Sequence, residues 1–282
     1  MNTALARAAA GLAIGLTFSV APSVVTAAPT WAPAATAAIH PGVQTTSPAG
    51  QCTANFVFSD TADKVYIGQA AHCTTTGGST GTNGCLTGSL ALGTPVTVGG
   101  ASRPGVMVYN SWLAMRAAGE TDPDACAYND FALVRIDPAD AGHVNPSVPH
   151  WGGPAVGTSP GTAFAEPVYS YGSSSLRLGL TQLSPKPGLS LGDSGGGWSH
   201  TVYTVSPGIP GDSGSAVLDA SGRALGVLST VAVLLLPGSN GVGDLRHELD
   251  YLNAHRPSTL PSPVQLALGT EPFNPGRLPL AL

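Results

Sequence analysis

Between residues 51 and 230, apolar residues come in short runs of strand length, each closed by Gly, Pro, Asp or Ser. Short β-rich runs between turn residues are typical of antiparallel barrels and sandwiches. Five runs fall in each half of this stretch: Ala54–Ser59, Val65–Gln69, Pro95–Val98, Val106–Asn110 and Phe131–Ile136, then Ala163–Tyr171, Ser175–Leu183, Trp198–Val205, Ser215–Leu218 and Ala224–Thr230. The pattern predicts an all-β fold built from two similar antiparallel halves.

One helix is predicted, near the C-terminus. Asp244 is a good N-cap, Leu245, Leu249 and Leu252 follow at helical spacing, and Pro257 ends the pattern. We therefore expect a first β domain at 51–140, a connection at 141–157, a second β domain at 158–243, a helix at 244–255 and a Pro-rich tail at 256–282. The tail is expected to lie extended on the surface or to fray.

The N-terminal residues 1–27 have the features of an export signal. A weakly positive start precedes the apolar run Ala8–Ala21, and small residues at Val25-Thr26-Ala27 offer a cleavage site. A retained anchor is the alternative, but the run is shorter than the roughly 20 residues that cross a bilayer. Residues 28–50 are expected to be a linker or short propeptide. The sequence thus predicts a secreted, extracellular protein.

Charge limits the possible partners. The formal net charge is -5 with 11 Lys and Arg together, and Lys64 and Lys186 are the only lysines. Without a basic patch, nucleic acid and anionic membranes are not expected as partners. No cofactor motif is present, and we expect a monomer.

Export makes the four cysteines interpretable as disulfides, for which three pairings exist. Cys52 and Cys73 flank one pair of predicted strands, so bridging them would hold the loop that contains Cys73. Cys85 and Cys126 would then form the second bridge. A zinc site is the alternative, but the C-x-x-C and H-x-x-x-H spacings are absent, so no metal is expected.

A candidate catalytic motif is Gly211-Asp212-Ser213-Gly214, which is followed at once by strand-forming residues. Glycines permit a tight turn that directs neighbouring N–H groups into one small space, as an oxyanion requires. A serine hydroxyl needs a neighbouring base to become nucleophilic. His72, in Ala70-Ala71-His72-Cys73, and Asp130, before the strand Phe131–Ile136, are the candidate base and its orienting acid.

These three motifs, in the order His, Asp, Ser, resemble the signatures of the chymotrypsin-like serine peptidases of secreted bacterial type. The resemblance covers roughly residues 51–230 and implies two antiparallel six-stranded β-barrels with the site between them. It implies His72 as general base, Asp130 as orienting acid, Ser213 as nucleophile and the N–H groups of Gly211 and Ser213 as the oxyanion hole. Protein or peptide substrates are then expected.

The resemblance also places a specificity pocket. Pro207, six residues before Ser213, would lie at its base, and Ser229, Thr230 and Val231 would form its wall. Ser229 would lie near Asp130 and offer its carbonyl to the substrate. Pro207 is not the acid that would bind Lys or Arg, and Val231 would narrow the pocket. Cleavage after small or medium apolar residues is therefore expected.

Several alternatives stay open on sequence alone. A homologue without activity would act as a binding module. Gly192-Asp193-Ser194-Gly195-Gly196 is a second serine motif, which would suit a serine esterase but lacks a following helix. Asp212 could pair with a new N-terminus after processing or with an internal cation. His247-Glu248 begins like a zinc-protease motif, yet Tyr251 occupies the place of the second histidine.

Overall fold

A computed structural model describes residues 29–77, 83–232 and 236–277. Within these ranges the chain forms fourteen strands and three α-helices. The strands are β1 (Gln44–Ser47), β2 (Gly50–Thr53), β3 (Val57–Asp60), β4 (Val65–Gln69), β5 (Pro95–Val98), β6 (Gly105–Asn110), β7 (Ala132–Arg135), β8 (Phe164–Tyr171), β9 (Pro185–Ser194), β10 (Ser199–Thr204), β11 (Ala216–Leu218), β12 (Ala224–Val231), β13 (Asn240–Asp244) and β14 (Val264–Leu266). The helices are α1 (Ser111–Ala118), α2 (Pro123–Tyr128) and α3 (Leu245–Ala254).

The strands form two antiparallel groups, so the all-β prediction is confirmed. In the second half, β10-β13-β12-β11-β8-β9 close into a six-stranded barrel. In the first half, eight strands form one sheet in the order β14-β3-β4-β7-β6-β5-β1-β2. The resemblance implied six strands here. The first half has eight, because β1, β2 and the tail strand β14 add to the five strands that the sequence predicted.

Apolar side chains fill each half and the space between the halves. Ile67 and Val134 belong to a core within the first half, and Val202 and Val242 to one within the barrel. A third cluster contains Phe131 from the first half together with Leu218 and Val227 from the second. This shared cluster places β7 next to the barrel, at the edge where Asp130 lies.

The expected C-terminal helix is α3, and its cap matches the sequence signal. The Asp244 side chain accepts a hydrogen bond from the His247 N–H at 2.9 Å, which satisfies one free donor of the first turn. Two further helices, α1 and α2, were not predicted. Asn110 and Asp122 cap them, and both helices are too short to show a clear helical period.

One prediction in the second half was wrong, and Pro185–Ser194 was not predicted as a strand. Ser175–Leu183 contains two 3-10 turns, at Ser175–Arg177 and Thr181–Leu183, instead of a strand. Pro185–Ser194 is a strand although it carries two prolines. Its pairing with β10 ends at Gly188, so no N–H from Pro185 or Pro187 is needed on that side.

The tail is neither free nor merely extended. β14 pairs with β3, with Val264 opposite Asp60, and Val264 is buried. Phe273 further along packs edge-on against Tyr169 of the barrel. The described part of the tail therefore contacts both halves.

Candidate active site

His72 lies in a short 3-10 turn, Ala71–Thr74, directly after β4. A disulfide joins the adjacent Cys73 to Cys52 of β2, and a second joins Cys85 to Cys126; these are the expected pairs. The first bridge links the turn that carries His72 to a neighbouring strand. The turn is held covalently as well as by hydrogen bonds.

Asp130 lies just before β7 and faces His72. Its Oδ2 accepts a hydrogen bond from His72 Nδ1 at 2.6 Å, and its Oδ1 accepts from the His72 backbone N–H at 2.8 Å. Ser229 Oγ donates to the same Oδ2 at 2.5 Å. Ser229 reaches it because the pairing of β12 with β13 shifts register at that residue, and such bulges redirect side chains.

The environment of His72 favours its protonated form. Burial lowers the pKa of the imidazole, but the charge of Asp130 and the hydrogen bond to it outweigh this effect, and the pKa is raised above 6.5. Since a carboxylate can only accept, Nδ1 carries a proton and the neutral ring has its free lone pair on Nε2. His72 is 25% exposed on its side chain, so the ring borders solvent.

The Ser213 loop packs directly against the turn of His72. A Cβ on Gly214 would lie 2.3 Å from the carbonyl oxygen of Thr53 and 3.0 Å from the backbone nitrogen of Ala70. Only glycine permits this approach, and its φ of 90° is also in the region that favours glycine. The Thr53 N–H donates to the Ser213 carbonyl at 2.8 Å. The serine is thus held between β2 and the residues preceding His72.

Two backbone N–H groups of this loop are free to bind an anion. Within the described residues, the N–H groups of Gly211 and Ser213 donate to no acceptor. The Gly211 carbonyl is held from the other half by Gln51 Nε2 at 3.0 Å and Thr53 Oγ1 at 2.8 Å. Gln51 and Thr53 therefore fix the Gly211–Asp212 peptide, which lies between the two peptide groups that carry these N–H donors.

Asp212 pairs with internal cations, which answers the question that the sequence left open. Its fully buried carboxylate lies 2.8 Å from Arg177 Nη2 and 3.2 Å from Lys186 Nζ. Burial lowers the pKa of Lys186 to about 8, although the charge of Asp212 opposes this effect. The loop of Ser213 is therefore anchored in the described chain without an inserted N-terminus.

The residues expected at the pocket lie on two neighbouring segments, Ser206–Gly208 and Ser229–Val231. Pro207 is exposed, and its carbonyl accepts from Arg177 at 2.8 Å. Asn240, fully buried on β13, joins the two segments. Its side chain bonds the N–H and C=O of Gly208, at 2.8 and 3.2 Å, and the carbonyl of Thr230 at 3.0 Å.

The second serine motif has a different setting. Ser194 ends β9 and is followed by the turn Gly195–Gly197 and then by β10, so no helix follows it. Its hydroxyl donates to the carbonyl of Ser199 at 3.3 Å, and Asp193 bonds His200 at 2.8 Å. This hairpin is not the strand-to-helix elbow of an esterase.

Cys52, His72 and Cys73 are the one close group of potential metal ligands among the described residues. Both cysteines are in the disulfide, so they offer no thiolate to a metal.

Several residues of this site carried no sequence signal. Asn240 lies in no recognisable motif. Glu248, which accepts from the Asp130 N–H at 3.0 Å, belonged only to an incomplete zinc-protease motif that did not point to this contact. Arg177 and Lys186 did have a sequence signal. The chain has few cationic residues, and an internal cation was one of the two expected partners of Asp212.

The closed barrel, the facing antiparallel sheet, the C-terminal helix and the site between them define the chymotrypsin-like serine protease fold. Solved structures agree with this assignment. Thermobifida fusca Protease A is 18% identical, with 82% of this chain and 99% of that chain covered and a TM-score of 0.50. A glutamic acid-specific serine protease that uses a histidine triad in substrate binding is 17% identical, with 81% and 100% covered and a TM-score of 0.50.

A Glu endopeptidase is 16% identical, with 78% of this chain and 91% of that chain covered and a TM-score of 0.51. No family model matches the sequence, and no curated protein does. At these identities the likeness concerns the fold.

Proposed function

We propose that this chain is a serine endopeptidase with His72, Asp130 and Ser213 as its catalytic triad. The observation that carries the proposal is the His72 Nδ1–Asp130 Oδ2 hydrogen bond of 2.6 Å, formed beside the Ser213 loop. It orients the imidazole so that Nε2 is the acceptor for a proton. The free N–H groups of Gly211 and Ser213 add the second requirement of acyl transfer, donors for a developing oxyanion.

In this mechanism Ser213 Oγ attacks the carbonyl carbon of the scissile peptide while its proton passes to His72 Nε2. The tetrahedral oxyanion binds the two N–H groups, and Asp130 stabilises the imidazolium. His72 then protonates the leaving amine as the C–N bond breaks, which leaves an ester on Ser213. Water, deprotonated by His72, hydrolyses this ester and restores the enzyme.

Serine substitutions test the proposal. The secreted form should digest a denatured protein and react with an organophosphonate serine probe, whereas Ser213→Ala should do neither. Ser194→Ala is the matched control and should retain both properties. A wild-type protein that stays unlabelled would instead be a binding module, and activity that survives in Ser213→Ala would refute the assignment.

We further propose cleavage after small or medium apolar residues. Val231 and the Asn240 bridge between Gly208 and Thr230 support a shallow pocket, and no acid lies at Pro207 to bind a basic side chain. A panel of peptides that differ only in the residue before the cut should show this preference, and Val231→Gly should extend it to larger residues. Faster cleavage after arginine or glutamate would contradict the proposed specificity.

Export remains part of the proposal, since the expected signal at 1–27 lies outside the described residues. Two disulfides support it, because such bridges persist in oxidising compartments. None of the helices in the described residues combines the length and apolarity that a bilayer-crossing segment needs. Fractionation of the producing cells and N-terminal sequencing of the mature protein test export and the cleavage site.

A further inference from the structure

A buried carboxyl group lies directly behind the candidate triad, and the proposed mechanism does not use it. Glu248, one turn into α3, is fully buried, and its Oε1 accepts the backbone N–H of Asp130 at 3.0 Å. Asp130 thus has partners on two sides. Its carboxylate faces His72 and Ser229, and its peptide N–H faces Glu248.

The space for this carboxyl group depends on Gly243. A Cβ at that position would lie 2.4 Å from Glu248 Oε1 and 3.1 Å from the Tyr128 carbonyl oxygen. Gly243 has no positive φ, so the reason for glycine here is steric. The barrel strand β13 therefore leaves a slot through which a helix of the second half reaches the first.

The surroundings of Glu248 favour a neutral carboxyl group. Its Oε2 has no hydrogen-bond partner, and no cation pairs with it among the described residues. The titratable groups facing it are Asp130 just before β7, Asp244 at the start of α3 and Tyr109 on β6. None of them is cationic, and a buried carboxylate without a cation is costly.

The contrast with Asp130 supports the same conclusion. Asp130 accepts three hydrogen bonds on its carboxylate, whereas Glu248 accepts one from a neutral peptide. Burial raises the pKa of Glu248 well above 4.5, and the charges of Asp130 and Asp244 raise it further, while the hydrogen bond from Asp130 lowers it.

We propose that Glu248 is a positioning residue for the His72–Asp130 pair, holding the Asp130 peptide with an uncharged carboxyl group so that Asp130 alone presents a negative charge to His72. The catalytic part of this inference rests on the proposed peptidase function. The positioning itself can be measured without any substrate.

Two substitutions at residue 248 distinguish the effect of a hydrogen-bond acceptor from the effect of a negative charge. Glu248→Gln keeps a neutral acceptor of the same shape, so the NMR resonance of the His72 Nδ1 proton and the pH of its titration should match the wild type. Glu248→Leu removes the acceptor, so that resonance should shift or disappear. Peptide hydrolysis by Glu248→Leu should show a kcat lower by about 10- to 100-fold with KM unchanged, because small misplacements of reacting groups reduce rate strongly.

Two further variants control for folding. Leu252→Ala removes buried apolar volume from the same helix, and it should lower the melting temperature without moving the His72 resonance. Gly243→Ala keeps Glu248 but fills its slot, and it should reproduce the effect of Glu248→Leu. If neither Glu248→Leu nor Gly243→Ala folds, Glu248→Gln decides alone. An unchanged His72 titration in that variant supports a neutral Glu248.

The opposite results overturn the inference. A lower His72 pKa in Glu248→Gln would show that Glu248 carries a charge, because a nearby anion stabilises imidazolium. An unchanged His72 resonance in folded Glu248→Leu would show that it positions nothing. A protein without peptidase activity whose His72 resonance still depends on residue 248 would refute the proposed function and support the positioning.

Discussion

Asp130 accepts hydrogen bonds from the His72 ring, the His72 backbone and Ser229, while only 3% of it is exposed. Hydrogen bonds to a charged carboxylate are stronger than neutral ones, and burial removes competing water. Asp130 therefore holds the imidazole in one orientation and one tautomer. The orientation of the His72 ring depends on this one side chain.

Asp130→Asn should lower kcat by about 10⁴-fold, because the amide favours the wrong tautomer of His72. Ser229→Ala removes one neutral donor from Asp130 and leaves its charge, so we expect a loss of less than about 10-fold. Steady-state kinetics on one peptide substrate compares the two. Similar losses in both variants would contradict the central role of Asp130.

In the proposed mechanism the rate should depend on pH through His72, which must be neutral to accept the proton of Ser213. Because Asp130 raises the pKa of His72 above 6.5, kcat/KM should rise with pH along an acid limb centred above 6.5. In Asp130→Asn the limb should move to lower pH, since the negative charge is lost. A wild-type limb centred below 6.5 would be inconsistent with the buried ion pair.

At the scale of elements, the loop of Ser213 is held by a buried charge cluster. Lys186 at the start of β9 is fully buried, and its Nζ contacts Asp212 and the carbonyls of Leu183 and Ser206. Arg177, in the 3-10 turn Ser175–Arg177, contacts the same Asp212. The β8–β9 connection and the start of β9 thus supply the two cations that pair with Asp212.

Lys186→Met should lower the free energy of unfolding by about 3 kcal/mol, because it leaves Asp212 with fewer compensating charges in a buried site. Lys64→Met is the matched control: the only other lysine is exposed and should contribute less than about 0.5 kcal/mol. Urea unfolding measures both. Equal effects would mean that the cluster does not stabilise the fold.

At the scale of the whole molecule, the two halves meet through contacts that are distant in sequence. Gln51 and Thr53 hold the Gly211 peptide, Glu248 holds Asp130, and β14 returns from the end of the chain to pair with β3. Each contact joins a residue of the first half to one that follows it by more than a hundred positions. The site exists only when both halves are folded.

Strand β14 offers a test of this coupling. Val264→Asp should lower the free energy of unfolding by at least about 3 kcal/mol, because Val264 is buried in the cluster that both halves share. Gln265→Asp lies on the exposed face of the same strand and should change it by less than about 0.5 kcal/mol. Thermal unfolding of the two variants measures the difference. A small effect of Val264→Asp would show that the tail does not contribute to the stability of the fold.

Local sequence patterns determined the residue types of the candidate triad, most strands, the cap of α3 and the two disulfide pairs, because turn chemistry, strand periodicity and motif spacing are properties of neighbouring residues. Tertiary structure decided which cations pair with Asp212, that Asn240 bridges the pocket segments, that Glu248 lies behind Asp130 and that the tail adds a strand. Pro185–Ser194 shows the reason. Its prolines argue against a strand locally, but strands on both sides provide its hydrogen bonds, and such partners are set by packing between distant parts of the chain.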